Sequence, residues 1–436
     1  MPALPDNAEA AAASGADVAL AFALEAARLA KARQSAPAKQ ARETFTQALA
    51  QLIRQALDPE GGDPSFQADV LQAQDSAVHE HVQLRRTRAA DRRAARTAID
   101  AVAHPGKLRH MAAGPAHEAL ARLHRLALAG SWAELSRAVE QLLKQHVPAQ
   151  AQAPLEAVLS SPALARLERG SELLRLDTVR RYEALCERRG PTAGSHAAAA
   201  EGRTSAREGE MAEQAGLKAF SKIARLLNGH LREGTASYRV ARNLRTPRGF
   251  PGTANKAKEE WDAALLRSEP GAAAELVLLA EIKASPAAAT SDFPRLLRGL
   301  RRLAHASTDA AYTFASTDGE PHILGASLRG LEPDGHSLPP HVIYFCPAAA
   351  EPPPRALSAA SKAVLLGEPA SLAYAQQVAR GEAPPHAALV LVWDALLTAP
   401  RLRAALHQYE TAAKARAAML RPDDLLAAVD RILRQS

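Results

Sequence analysis

Aromatic residues are scarce in this 436-residue chain, at 4% against an apolar fraction of 47%. Much of the apolar content is alanine, which favours helices and thin, closely packed interfaces. The densest basic run, Arg85 to Arg96, has no aromatics interleaved in it, which argues against reading single-stranded nucleic acid there by base stacking. Cysteine is almost absent: Cys186 and Cys346 stand alone, far apart and outside any CxxC or Cys/His spacing. That excludes a zinc ribbon and a disulfide framework, and points to a reducing compartment. The first residues lack a basic segment, and Asp17 interrupts their apolar stretch, so they do not read as a signal peptide. No run approaches the ~20 apolar residues needed to span a bilayer. A soluble, cytoplasmic protein without a membrane partner is expected. Also missing are a GxxxxGK[ST] loop, a GxGxxG after a strand and a GxSxG elbow, so P-loop hydrolysis, dinucleotide chemistry and serine hydrolysis have no motif behind them. The formal net charge of +7 permits an anionic partner without demanding one.

What is present divides by periodicity. The front of the chain is helical: Phe45, Leu49, Leu52, Ile53 and Leu57 share one helix face, and Leu120, Leu123 and Leu126 continue the pattern. Ser131 and Glu134 have the spacing of a capping box, and Ser161-Pro162 marks another helix start. Residues 1–187 are read as a helical bundle. Residues 188–208, rich in Gly, Ala and Ser and lacking periodicity, are read as an exposed linker. Residues 209–350 open with a helix carrying Leu217, Phe220, Ile223 and Leu227, and turn to strands after Asn243. Strands are expected over 261–267 and 275–283, around a turn at Glu269-Pro270-Gly271. A helix from Asp292 to His305 follows, with Asp292 as its N-cap, then strands near 311–315, 322–327 and 341–346. After a proline-rich loop at Glu351–Pro354, residues 351–436 are read as a mostly helical extension. The fold class is α+β overall, a helical N-terminal bundle followed by a mixed α/β domain.

The hairpin is where chemistry concentrates. Centred near Gly271 and Ala272, it places Asp262 opposite Glu281, and opposed residues of an antiparallel pair have Cβ atoms about 5 Å apart. Strand alternation puts Glu281 and Lys283 on one face and turns Ile282 to the other. Two adjacent carboxylates disfavour each other's ionisation, a hard divalent cation relieves that, and an ammonium beside them can steady charge developing on phosphate.

Asp262, a turn, and Glu281-Ile282-Lys283 ending the apolar strand Leu276–Ala280 resemble the PD-(D/E)XK, restriction-endonuclease-like nuclease superfamily. The resemblance covers Leu217 to Cys346 and leaves the helical front unexplained. It implies that residues 209–350 form a restriction-endonuclease-like core. It further implies that Asp262, Glu281 and the carbonyl of Ile282 bind Mg²⁺, or Mn²⁺ in its place, and that Lys283 orients or activates the attacking water for hydrolysis of a phosphodiester. The partner implied is nucleic acid, DNA first. Two departures stand out: Trp261 replaces the proline of the leading motif, and the acidic residue expected on the preceding helix has no clear counterpart, Glu259 and Glu260 lying too near Asp262.

Other features have plainer readings beside functional ones. Arg295, Arg298 and Arg302, at i, i+3 and i+7, could track a nucleic-acid backbone or decorate a solvated face. The run Arg85, Arg86, Arg88, Arg92, Arg93 and Arg96 spreads around most of a helix. His305 at a helix end suits the dipole alone, and His117 and His124 share a face with no acidic pattern beside them to mark a metal site. Pro422-Asp423-Asp424 imitates the leading motif by letter but opens a helix. The expectation is a metal-dependent nuclease. The alternative is a non-enzymatic helical interaction or scaffold protein with a structural α/β domain.

Overall fold

Proline sets many of the helix starts, because its fixed φ suits the first turn and its missing N–H is not needed there. In the computed structural model, which describes residues 3–145, 149–190, 196–232, 234–347 and 355–435, Pro64 follows the capping Asp63, while Pro115, Pro162 and Pro286 likewise open their helices. The protein is α+β: 63% helical, with 11% in a mixed sheet. No helix among the described residues is long and apolar enough to cross a membrane.

Residues 53–192 and 369–385 make one compact unit, built from α1 (Pro64–Gln74), α2 (Ser76–Ala103), α3 (Pro115–Ala129), α4 (Trp132–Leu143), α5 (Ala149–Leu159), α6 (Pro162–Leu173) and α7 (Asp177–Arg188). Its larger core gathers Ile99, Leu120, Leu123, Trp132, Leu135, Val139, Leu155 and Leu164. The long helix α2 is tied to α6 by the buried Asp91, which accepts from Nη2 and Nε of Arg166 at 2.6 and 3.0 Å. Part of the basic run on α2 is structural: Arg85 pairs with Glu183 at 3.0 Å, and Arg96 donates to the carbonyls of Ala127 and Leu128 at the end of α3. Ser131 stands at the N-cap of α4 but makes no side-chain capping bond, so the expected capping box does not form.

The second unit comprises residues 1–52, 193–368 and 386–436, and it cuts across the linear division expected from the sequence. Residues 1–52 belong with it instead of with the front bundle. Their buried Leu20, Leu24 and Ala27, the pairing of Asp17 with Lys362 at 2.6 Å and the 5.3 Å ring contact of Phe45 with Trp393 bind them to the C-terminal helices. Nor are residues 188–208 a linker throughout: α8 (His196–Gly229) already begins at residue 196, since its run of alanines costs little as helix.

The sheet has five strands: β1 (Ser237–Arg245), β2 (Glu260–Ser268), β3 (Glu275–Ile282), then, beyond the two-stranded ribbon of β4 (Ala311–Thr313) and β5 (His322–Leu324), β6 (Val342–Phe345) and β7 (Met419–Leu420). The order is β1-β2-β3-β6-β7, antiparallel from β1 to β3 and parallel thereafter. The hairpin falls where expected, with Gly271 at φ 75° in its turn. β1 and β7 were not expected. β1 alternates exposed and partly buried residues with several arginines, and β7 is too short to carry a pattern. The stretch 322–327 is a short strand followed by a helical turn, Gly325–Arg329. The expected loop Glu351–Pro354 lies outside the described residues.

Helices cover both sheet faces. On one, α9 (Pro286–Leu303) buries Phe293, Leu296 and Leu300 against Trp261, Leu266, Leu279 and Tyr344. On the other, α8 packs Phe220 and Ile223 against Leu265, Ile282 and Phe345, and Leu425, Leu426 and Val429 of α11 (Pro422–Gln435) join them; α10 (Gln408–Ala417) lies just before β7. Asp292 is not the N-cap of α9. Ser285 caps it through its hydroxyl on the Ala288 amide, and Pro286 opens the helix, which places Asp292 well inside.

Gly299 of α9 makes close packing on Trp261 testable. A Cβ there would lie 2.8 Å from both the Lys258 Cβ and the Trp261 ring, and 2.9 Å from the Lys258 carbonyl. Alanine ordinarily stabilises a helix by about 1 kcal/mol over glycine. Here Gly299→Ala should instead lower the unfolding free energy by about 1–3 kcal/mol, as overpacking does, seen as a lower urea midpoint. An unchanged or raised midpoint would contradict the close approach.

Candidate functional site

The register of the hairpin decides the site. Ala263 pairs with Ala280, so the next residues outward, Asp262 and Glu281, stand opposite each other. Asp262 Oδ2 accepts the Ile282 amide at 2.7 Å, locking the strand ends together. An extra residue in β3, where the register shifts between Leu265 and Leu266, puts Glu281 and Lys283 on the α9 face and Ile282 on the α8 face, against Gly216. The sharing of a face inferred from alternation holds. The Lys283 amide donates to the Phe345 carbonyl at 2.9 Å, which extends the β3–β6 ladder and fixes the lysine at the strand mouth.

Glu281 is the electrostatic centre. It is 1% exposed, and its Oε1 accepts from the ammonium of Lys258 at 2.6 Å and from that of Lys283. Its Oε2 is buried with no hydrogen-bond partner. Burial, then the nearby Asp262 charge, push the Glu281 carboxyl up to about 8, while Lys258 and Lys283 pull the other way. Burial also works against the Lys283 ammonium, but Glu281, Asp262 and Asp292 outweigh it and hold its pKa above the ordinary lysine value. Lys283 Nζ lies 3.9 Å from both Asp262 Oδ2 and Asp292 Oδ2. Tyr344, beside Glu281 in the β3–β6 register, directs its hydroxyl at Asp292 Oδ2 at 3.5 Å. Burial, then Asp292, push that phenol well above its usual range.

Three members of this cluster were not singled out from the sequence. Lys258 comes from the irregular segment before β2 and is 6% exposed; nothing in its surroundings marks a lysine that will be buried. Asp292 stands where a cap is expected, but Ser285-Pro286, with the same signature as Ser161-Pro162, starts the helix earlier and places Asp292 inside it. Tyr344 sits in an apolar strand where a core role is the ordinary reading. The cluster is open on one side: the side chains of Asp262 and Lys283 are 24% and 21% exposed, against 1% for Glu281.

The arginine stripe on α9 does not hold together as read. Arg295 and Arg298 are exposed, Arg298 donating to the Lys256 carbonyl at 2.9 Å. Arg302 is buried, paired with Glu259 at 2.5 Å and directed at the Phe250 carbonyl at 3.4 Å. The segment before β2 lies over that end of the helix, so Arg302 ties down the segment and presents nothing to a ligand. His305 caps the helix end through the Arg301 carbonyl at 2.7 Å.

The donors present suit a hard cation: two carboxylates, one with an oxygen that has no partner, beside the main chain of Ile282. Comparison with known proteins adds no family, since no family model, curated protein or solved structure matches the chain.

The sign of the Glu281 shift gives a stability prediction. Its folded-state value of about 8 exceeds the ordinary 4.5, so between these values the folded chain holds a proton that the unfolded chain has released. The contribution to stability is therefore full below pH 4.5 and is lost as the pH rises towards 8. Relative to Glu281→Gln, the wild-type melting temperature should fall between pH 5 and pH 8; a parallel pH dependence in the two proteins would contradict the buried, proton-retaining carboxyl.

Proposed function

We propose that the second unit is a Mg²⁺-dependent phosphodiester hydrolase acting on nucleic acid, with DNA the first substrate to test, as the resemblance to restriction-endonuclease-like nucleases implies. The observation that carries this reading is the convergence of Asp262, Glu281 and Lys283 at the mouth of the hairpin, with a buried Glu281 oxygen left without a partner. Asp262, Glu281 and the carbonyl of Ile282 would hold the cation. Mg²⁺ bound there supplies Lewis acidity and lowers the pKa of water; Mn²⁺, another oxygen-seeking divalent ion, is the natural substitute.

The chain's own groups have distinct tasks in this reading. Asp262 uses one carboxylate oxygen to grip the Ile282 amide, which leaves the other for a ligand and keeps the strand ends in register. Burial favours the protonated form of Glu281 and its two lysines oppose it, so a cation bound there would displace the proton that the carboxyl otherwise keeps. Lys283, partly exposed and flanked by Asp262 and Asp292, is the ammonium able to meet water or a phosphate oxygen from the open side. Lys258, buried on the far side of Glu281, is a positioning residue. Arg295 and Arg298 remain exposed for backbone contacts on the same helix as Asp292; Arg302 plays no part.

One observation favours the alternative, an α/β domain serving a helical interaction protein: both lysines already engage the same Glu281 oxygen, as a closed structural ion network would. Plasmid cleavage separates the two. Wild-type protein with Mg²⁺ or Mn²⁺ should nick or linearise supercoiled DNA, and Asp262→Ala and Glu281→Ala should each reduce cleavage by about 100-fold or more, with both variants still showing a cooperative thermal transition. If wild-type protein cleaves no DNA or RNA with either ion, the hydrolase reading fails and the structural network stands.

A further inference from the structure

A second cluster involves none of the hairpin's residues. His407 is the N-cap of α10, and Glu410 follows one turn later. His336 comes from the loop after the Gly325–Arg329 turn. The three offer ligand atoms all within 4.8 Å of one another, and the two imidazoles lie face to face at 5.8 Å between centroids and 28° between planes. We propose that His336, His407 and Glu410 bind a divalent transition metal, Zn²⁺ by its coordination preference, in a site with one open position. This does not rest on the nuclease reading.

The donor set supports this assignment. Two imidazoles and one carboxylate are borderline ligands that suit zinc and not magnesium, and three protein ligands with a vacant fourth place is the usual form of a non-structural zinc site. Spacing supports it too. Tetrahedral ligands at about 2.0–2.1 Å from zinc are about 3.3 Å apart, and His407 Nδ1 lies 3.4 Å from Glu410 Oε2. His336 lies within 4.8 Å of both other ligand atoms, so it must close by at most about 1.5 Å to reach the tetrahedral spacing, a movement open to a partly exposed loop side chain. Burial, first, holds the His336 pKa below its ordinary value, with Glu410 opposing and His407, Lys414 and Arg301 assisting.

The cations around the cluster shape the expected behaviour. Glu410 pairs with Arg28 at 3.2 Å and with Lys414 at 3.0 Å through opposite oxygens, and Arg301 reaches the Gly335 carbonyl beside His336. These groups keep Glu410 charged and oriented, and they compete with a metal for it. Loss of Lys414 should therefore tighten binding, whereas a purely structural ion network predicts no metal at all.

The test uses the full chain stripped with chelator and titrated with Co²⁺, followed by displacement with Zn²⁺. The Asp262→Ala variant serves as background so that the hairpin site does not contribute. One Co²⁺ per chain should bind with the intense visible absorption of a tetrahedral site, and Zn²⁺ should abolish it stoichiometrically. His336→Gln and His407→Gln should each weaken binding by at least about 100-fold, more than the loss of an outer-shell partner costs, with far-UV circular dichroism unchanged. Lys414→Gln should strengthen it several-fold. Absence of the tetrahedral spectrum, or its persistence at wild-type affinity in the folded His336→Gln/His407→Gln double variant, overturns the proposal.

Discussion

A carboxylate withdrawn from water dictates the organisation of the second unit. Moving an ion into a protein interior costs several kcal/mol even after relaxation, and the cost is recovered only with well-placed partners. Glu281 has two, Lys258 and Lys283, on one oxygen, and they recover only part of the cost, since burial still favours the protonated carboxyl. Each partner imposes its own condition. Lys258 must be delivered by the segment before β2, which is why that segment is pinned on α9 by Arg302, Glu259 and the tight seat at Gly299. Lys283 must be held at the end of β3, which the parallel ladder to β6 provides.

The apolar layers make this arrangement rigid enough to matter. Trp261 and Phe293 on one side of the sheet, and Phe220 against Phe345 at 5.0 Å on the other, bury the strands on both faces, so the hairpin cannot slip its register. A one-residue slip would turn Asp262 and Glu281 away from each other and bury them in the wrong layer. The residual oxygen of Glu281 is then a stored demand for a ligand, which a cation or a bound proton satisfies. Buried polar atoms without partners are rare in folded proteins, and among the described residues only His81 Nδ1 and Arg302 Nε share this condition.

The chain uses the same economy elsewhere. Asp91 is buried against Arg166 in the helical unit, and Glu368 against Arg401 in the mixed unit. Those carboxylates have each oxygen taken by one fork of a guanidinium, a bidentate geometry that leaves nothing over. Two lysines on a single oxygen do the opposite. The difference between arginine and lysine as a partner separates a closed ion pair from a site with capacity to spare.

The hairpin, its turn and the facing of Asp262 and Glu281 were legible in the sequence, because strand alternation and a Pro-Gly turn are local and periodic. So were the helical front and the α+β class, since apolar spacing of 3.6 and 2 residues reports on each element's own buried side. Lys258, Asp292, Tyr344 and the His336–His407–Glu410 cluster were not, because each depends on which remote segment lies opposite, and no local pattern encodes that. Arg302 shows the same limit from the other side: its helical phase matched Arg295, yet the segment covering it made it structural. Local periodicity therefore determined the elements and one site's core, while long-range packing decided which charges are buried, which are paired and which remain able to meet a ligand.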